Sequence, residues 1–402
     1  MSRPRVLCGT NPVDFECAKH RQTMLPGIRG VGGLLLVLLL ASGGRAHRSN
    51  SNPPQPISTT THLQHATAGI QTLQGWYNRA SGLYRTTGWW NSANALTVLI
   101  DYARVASTHQ YDSELATTFT AAQAGNQRQP GFLNKYYDDE GWWALAWIDA
   151  YDLTRRHDYL SMAESIFTDM AGGWDNVCGG GIWWSKDRTY KNAIANELFL
   201  SVSASLANRD SADKRTYLDW AKKEWLWFSG SGMINSRNLI NDGLAITSGE
   251  AGTTCVNNGK TTWTYNQGVI LNGLSELSKA AADRTTIRTT IQSANAIASA
   301  AIQSLADSNG ILHDPCEPKC GADGVQFKGI FVRNLVRLYS LSAQPAYKTF
   351  IIANADSIWE KAQGPNTQFG QVWSGPFTTS NAAIQSSALD AIVGAAAVEN
   401  TN

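Results

Sequence analysis

Between Tyr136 and Trp143 the chain reads Tyr-Tyr-Asp-Asp-Glu-Gly-Trp-Trp, three carboxylates held between aromatic pairs where a polar loop gives way to a helix. Splitting a glycosidic bond calls for two carboxyl groups flanking the anomeric carbon. At about 5–5.5 Å apart, one attacks while the other donates and then recovers a proton, and configuration is retained. Neighbours at a bend, such as Asp138 and Asp139, can hold that separation without help from elsewhere in the fold. Close like charges raise the pKa of one partner, while helix-terminal N–H groups favour the ionised form of the other. One short loop can therefore supply both an acid and a base. A rival reading is capping, with the acids satisfying free N–H groups of a helix over 140–154. Capping needs one Asp and leaves the second, and the flanking rings, unexplained; one residue can also do both.

Other polar residues have plainer readings. Asp149, Glu197 and Asp390 fall inside charge-poor helical segments and read as satisfied core acids, and Glu250, in a Gly-rich loop, reads as solvated. Lys328 suits sugar hydroxyls or an ion pair equally, and Asn266 and Gln267 suit sugar hydroxyls or helix capping. Cys-Gly-Gly-Gly at 178–181 is too short for a nucleotide loop. No Ser-His-Asp arrangement or metal-ligand spacing stands out among the 7 His, so neither a metal nor a cofactor is expected.

A net charge of +1, with 16% charged residues and 15 Trp, gives no electrostatic footprint for nucleic acid or an anionic membrane. A neutral, hydroxyl-rich partner fits better. Residues 1–46 read as a secretory leader: Val31 to Ala41 is an apolar block too short to span a bilayer comfortably, Arg29 precedes it, and Gly44-Arg45-Ala46 suits cleavage. Met24 is the expected biological start, and a type II anchor is the alternative. Residues 47–60 read as a disordered polar linker. Cys178, Cys255, Cys316 and Cys320 remain beyond the leader, an even number that favours disulfides in a secreted chain. Cys316–Cys320 as a local loop with Cys178–Cys255 is the expected pairing, though three connectivities are open. The polar C-terminus has no apolar GPI-type tail, so a freely secreted or wall-associated monomer without stable membrane insertion is expected.

Two kinds of helical segment alternate from residue 61 to 398. Amphipathic segments are predicted over 62–79, 112–124, 158–171, 211–228, 284–307 and 346–362. Charge-poor segments rich in Ala, Gly, Asn and aromatics, predicted over 89–105, 140–154, 189–207, 263–281, 325–342 and 380–398, read as buried on most sides. Six exposed helices alternating with six buried ones imply an all-α fold, an (α/α)6 toroid of six helical hairpins in one catalytic domain. Only 180–184 and 325–332 hint at strand. In such a ring the entrances to the inner helices meet on one face, and here every entrance carries aromatics. Their convergence would build an aromatic-walled cleft suited to carbohydrate.

The blocks YYDDEGWWALAWIDAYDLT (136–154), CGGGIWWS (178–185), YKNAIANELFL (190–200), TYNQGVILNGL (264–274) and QFKGIFVRNL (326–335) resemble glycoside hydrolase family 76, the fungal and bacterial endo-α-1,6-mannanases. The likeness covers nearly all of 61–398. It implies an (α/α)6 barrel and retaining hydrolysis of internal α-1,6-mannosidic bonds, with α-1,6-mannan or its oligosaccharides as partner. By position, Asp138 takes the role of nucleophile and Asp139 that of acid/base. By resemblance alone, sugar-binding roles fall to Trp89, Asn91, Tyr137, Trp142, Trp183, Tyr265, Asn266, Gln267, Phe327 and Lys328. CEPKCGADG (316–324) departs from the pattern as a local elaboration of the cleft rim. Some fungal relatives act as wall transglycosylases, so transfer is the alternative to hydrolysis. A non-catalytic mannan-binding wall protein is the alternative of another class.

Overall fold

The computed structural model describes residues 60–123, 130–249 and 252–400; the expected leader, the linker up to residue 59, and Glu250 lie outside them. Among the described residues, twelve long helices and one single-turn helix account for most of the chain. Six form the outer layer: α1 (Thr61–Gln74), α3 (Asp112–Ala121), α5 (His157–Ala171), α7 (Lys214–Gly230), α9 (Arg284–Leu305) and α12 (Pro345–Lys361). The other six line the axis: α2 (Trp89–Val105), α4 (Tyr137–Thr154), α6 (Ala193–Ala207), α8 (Thr264–Ala280), α11 (Phe327–Leu341) and α13 (Ala382–Glu399). α2 packs on α4, and the contact passes in turn to α6, α8, α11 and α13, which packs back on α2. The inner ring therefore closes, and the toroid expected from the alternation is the fold.

Composition explains the two layers. Every residue of α6 is buried, as are nearly all of α13, so these helices have no polar face to turn outward. α9 buries a stripe of Thr290, Ala294, Ile297, Ala298 and Ala301 and leaves the rest to solvent. Glycine sets how closely inner neighbours approach. A Cβ on Gly268 would lie 2.5 Å from Phe331 Cα, and one on Gly329 would lie 2.5 Å from Ser387 Cα. α11 is thus seated against both α8 and α13 at positions where only glycine fits.

The ring's two ends differ in chemistry. Toward the C-terminal ends of the inner helices, Arg337 pairs with Asp149 at 2.6 Å and Arg209 bridges Asp152 at 2.6 Å and Glu276 at 2.7 Å, while Arg333 pairs with Asp390 at 3.1 Å midway along α11 and α13. Asp149 and Asp390 are therefore ion-paired core acids. Burial would raise Asp149, but Arg337 and Arg104 hold it below the usual carboxylate range. At the other end the aromatic residues that open the inner helices meet.

Boundaries differ from the sequence reading where loops intervene. α4 begins at Tyr137 rather than residue 140, and α6 begins at Ala193 rather than residue 189. Two antiparallel hairpins, missed in the sequence, interrupt the helices: β1 (Tyr77–Asn78) with β2 (Leu83–Tyr84), and β3 (Leu244–Gly249) with β4 (Gly252–Asn257). The second is half-exposed and polar on most positions, so it lacks the apolar alternation that marks a strand against a core. The two stretches suspected of strand are not: 325–332 enters α11, and 180–184 makes one bridge, Trp174 to Ile182. Cys178–Cys255, Cα to Cα 5.5 Å, ties the loop before α6 to β4, and Cys316–Cys320, at 4.7 Å, closes the loop before the single-turn helix α10 (Gly321–Gly324). No helix among the described residues is long and apolar enough to cross a membrane.

Candidate active site

Asp138 and Asp139 lie inside the first turn of α4, not ahead of it. Tyr136 is the N-cap residue, in extended backbone, and its side chain makes no capping bond, so neither acid is the N-cap residue. Their surroundings come from a second strand of chain. Tyr137 N donates to Trp184 O at 3.0 Å and Lys186 N donates to Lys135 O at 3.0 Å, laying 184–186 along the helix start. Trp184 Nε1 then donates to Asp138 Oδ2 at 3.0 Å, while the buried Oδ1 has no hydrogen-bond partner. Asp139 Oδ2 accepts from Asn134 Nδ2 at 2.6 Å.

The third acid of the run is a support. Glu140 is fully buried, and its Oε1 accepts from Asn134 N and from Lys186 Nζ, both at 2.8 Å. Lys186 also reaches Asp169 at 2.8 Å. Asn134 Oδ1 in turn accepts from Tyr136 N at 2.7 Å. Asn134, which holds Asp139, is thus itself fixed at two further points.

Both carboxyls of the pair titrate above the ordinary range. Burial, then the neighbouring Asp139, push Asp138 well up, opposed by the Trp184 indole and by N–H groups of the helix start. Burial raises Asp139 to about 6, with Asn134 opposing and the charge of Asp323 adding to the rise. Burial by itself favours a proton on Asp138. Side-chain donors do not separate the two, since Trp184 donates to Asp138 and Asn134 to Asp139, while the charge of Asp323 adds to the rise of Asp139. With Asp139 raised to about 6 and Asp138 raised well above the usual carboxylate range, the pair shares one proton above about pH 6.

Aromatic rings from four inner-helix starts make a continuous wall beside the pair. Trp90 stacks on Trp142 at 5.8 Å, Trp142 on Tyr265 at 6.5 Å, and Tyr265 on Phe327 at 3.8 Å, with Trp263 edge-on to Phe327 at 5.7 Å. Burial raises Tyr265 well above the usual phenol range, and the nearby Asp138 adds to this. Trp142, Tyr265 and Phe327 thus share one row of rings, with Trp142 and Phe327 buried within it.

The structure places the other expected binding residues elsewhere. Trp89 points into the core, donating to Ala122 O at 3.1 Å and packing on Phe132 and Trp143; its neighbour Trp90 takes the wall position. Trp183 is buried, its indole 2.6 Å from Asp175 Oδ2, and Trp184 holds the place beside Asp138. In both Trp-Trp pairs the second ring faces the site, because the helical or extended backbone turns successive side chains apart. Tyr137 is packed against Gly173 with Lys186 over its ring. Asn91 bonds Gln326 at 2.9 Å, and Gln267 clamps Ile240 N and O at 2.8 and 2.9 Å. Lys328 is buried in an ion pair with Glu317 and donates to Gln371 O at 2.9 Å, so the ion-pair reading holds and not the sugar-hydroxyl one. Asn266 is fully buried with both amide atoms unpartnered, and Glu197 likewise with both carboxylate oxygens.

Sequence reasoning missed Trp90, Trp184, Asn134 and Asp323. For the tryptophans the signal was present, since each directly follows a tryptophan expected to bind, Trp89 or Trp183, and the difference is one of facing. Asn134 and Asp323 sit in loops whose local sequence carries no comparable mark. Among the described residues no group of three His, Cys, Asp or Glu could hold a metal ion.

The family model described as Glycosyl hydrolase family 76 matches residues 61–402. Over 265 residues the chain is 26% identical to the mannan endo-1,6-alpha-mannosidase DCW1 of Candida albicans, covering 59% of this chain and 57% of that protein. The chain thus spans little more than half the length of that curated relative. Among solved structures, an inactive variant of the alpha-1,6-mannanase GH76A of Salegentibacter sp. HEL1_6, with two consecutive aspartates changed to alanine and alpha-1,6-mannotetrose bound, superposes with a TM-score of 0.73 at 21% identity over 84% of this chain and 99% of that one. Dfg5 from Chaetomium thermophilum, in complex with glucosamine, gives 0.72 at 20% identity over 84% and 90%. At these identities the structures share the fold.

Proposed function

The chain belongs to glycosyl hydrolase family 76, and from that premise we propose that it is a retaining, endo-acting hydrolase of internal α-1,6-mannosidic bonds. Asp138 attacks the anomeric carbon as Asp139 protonates the departing oxygen. The glycosyl-enzyme ester on Asp138 is then opened by water, whose proton passes to Asp139 as the C–O bond to Asp138 breaks. Each carboxyl is suited to its part by its partners. Trp184 donates to Asp138 and favours its ionised form, an effect the N–H groups of the helix start add to, and Asp323 beside Asp139 favours a proton there. The observation that carries the reading is the half-buried aspartate pair beside the Trp90–Trp142–Tyr265–Phe327 wall. The mannanase just compared, inactive without its own consecutive aspartates and holding a mannotetraose, supports it.

The two disulfides support an oxidising, extracellular setting. In this proposal residues 61–398 form one secreted catalytic domain acting as a monomer. Of the rings in the wall, Trp90, Tyr265 and Trp263 are partly exposed and in reach of more than one sugar in this proposal. That favours a second outcome from the same intermediate, in which an acceptor sugar replaces water and transfer results.

Incubation with debranched α-1,6-mannan, followed by sizing of the fragments, tests the reading. Short oligosaccharides of retained configuration are expected from the parent and none from Asp138→Asn. Longer products on adding an acceptor oligosaccharide indicate transfer. Equal cleavage by parent and Asp138→Asn overturns the mechanism, and mannan bound but left intact by the parent indicates a binding protein.

A further inference from the structure

The loop that departs from the family pattern has a defined construction. Cys316–Cys320 closes it, and Cys320 is the N-cap residue of α10. α10 lies tight on the disulfide: a Cβ on Gly324 would meet Cys316 Sγ at 3.1 Å. Before it, Glu317 is held by Lys328 and by His313 Nδ1 at 2.6 Å. After it, the buried Gln326 is locked to Asn91 at 2.9 Å and Ser386 at 2.8 Å. Between these anchors Asp323 stays exposed, and its Oδ1 accepts from Trp90 Nε1 at 3.0 Å. Trp90 is the ring that stacks on Trp142, on the same helix as Asp139.

Asp323 is thus a carboxylate delivered to the end of the aromatic wall, with one oxygen pinned by an indole and no ion-pair partner among the described residues. It stands on the Asp139 side of the pair: Trp184 and Tyr265 flank Asp138, whereas Asn134 and Asp323 flank Asp139. We propose that Asp323 and Trp90 form the subsite for the sugar on the leaving-group side, with Trp90 stacking a neutral pyranose and the free oxygen of Asp323 accepting from one of its hydroxyls. This rests on the assignment of Asp139 as acid/base, since that assignment makes the Asp139 side the leaving-group side. A carboxylate accepting from a hydroxyl is a charge-assisted bond, and a ring face adds apolar contact. The same charge helps Asp139 keep its proton, so a single side chain both grips the departing sugar and readies the acid that releases it.

Asp323→Asn tests this on a side chain that is exposed and whose amide oxygen can still accept from Trp90. The parent and the variant are compared on α-1,6-mannotetraose and on an aryl α-mannoside whose leaving group has no sugar hydroxyls. A fall of about 10-fold or more in kcat/KM on the tetraose is expected, with KM carrying most of it and the aryl substrate changed far less. The alkaline limb of the pH profile is expected to move to lower pH. Equal loss on both substrates, or an unchanged KM and unchanged limb, overturns the subsite while leaving the mannanase reading intact. If the parent cleaves neither substrate, the mannanase reading fails, and calorimetric titration with the tetraose decides the subsite alone. Weaker binding by Asp323→Asn then supports it, and equal or absent binding in both proteins overturns it.

Discussion

The indole Nε1 of Trp184 and the Oδ2 of Asp138 meet at 3.0 Å, joining the loop before α6 to the first turn of α4. The bond stabilises the ionised carboxylate, the form that attacks in the proposed mechanism. Trp184→Phe keeps the ring and removes the donor, so Asp138 rises further and less of it is ionised at a given pH. We expect kcat on α-1,6-mannan to fall by about 10-fold, in line with loss of one hydrogen bond to a charged group. The acid limb of the profile should shift to higher pH. An unaltered acid limb would show that the indole serves packing only.

Asp139→Asn separates the proposed acid from the proposed nucleophile. General acid catalysis is worth about 10²–10⁴-fold, and it matters most where the leaving oxygen is a poor one. Cleavage of mannan should fall by that amount, whereas formation of the glycosyl-enzyme from an aryl mannoside with an acidic phenol should persist. A burst of phenol followed by slow turnover is the expected trace in stopped-flow absorbance. Equal loss on both substrates would contradict the assignment of Asp139 as acid.

The ring itself was legible because a helix buried on all sides and a helix buried on one side have different compositions. The contrast between Ala193–Ala207 and Arg284–Leu305 is plain in the letters. The aspartate pair was legible because two acids among four rings are costly unless used. Which ring of Trp89-Trp90 or Trp183-Trp184 faces the site depends on helix phase and on a bridge between Tyr136 and Ser185, neither of which has a local signature. Asn134 and Asp323 were hidden for a similar reason. Each acquires meaning only from a partner supplied by another part of the chain, Asp139 five residues on and Trp90 across the ring.

Stability should be greatest in mild acid. Burial raises Asp139 and Asp314 to about 6, Asp390 to about 7 and Glu140 to about 8, and also raises Glu197 and Glu224. Each of these holds a proton in the folded state at pH values where the unfolded chain has lost it. Stability therefore declines as pH rises from roughly 4 through the folded values to about 8. Asp149 and Glu276 act in the opposite sense: burial would raise them, but Arg337 and Arg209 respectively hold them down, so their contribution is lost in stronger acid. Melting curves should give a maximum Tm near pH ~4–5 and a steady fall toward pH 8. A Tm that climbs from pH 5 to 8 would refute this.

The two disulfides should fail in different ways. Cys178–Cys255 closes a separation of 77 residues, and in the loop-entropy account such a link restricts the unfolded chain by about 4 kcal/mol. Cys316–Cys320 spans 4 residues and is worth about 2 kcal/mol on the same account. The short link has a local task, however, since it abuts Gly324 and holds the turn that carries Asp323 to Trp90. Paired Cys→Ala substitution at 178 and 255 should give the larger drop in Tm with KM for mannotetraose little changed. The same substitution at 316 and 320 should lower Tm less yet raise KM several-fold, because Asp323 is no longer held in place. Melting and initial-rate measurements on both double variants decide it. A larger Tm loss from the short link, with KM unmoved, would mean that it braces the fold and not the cleft rim.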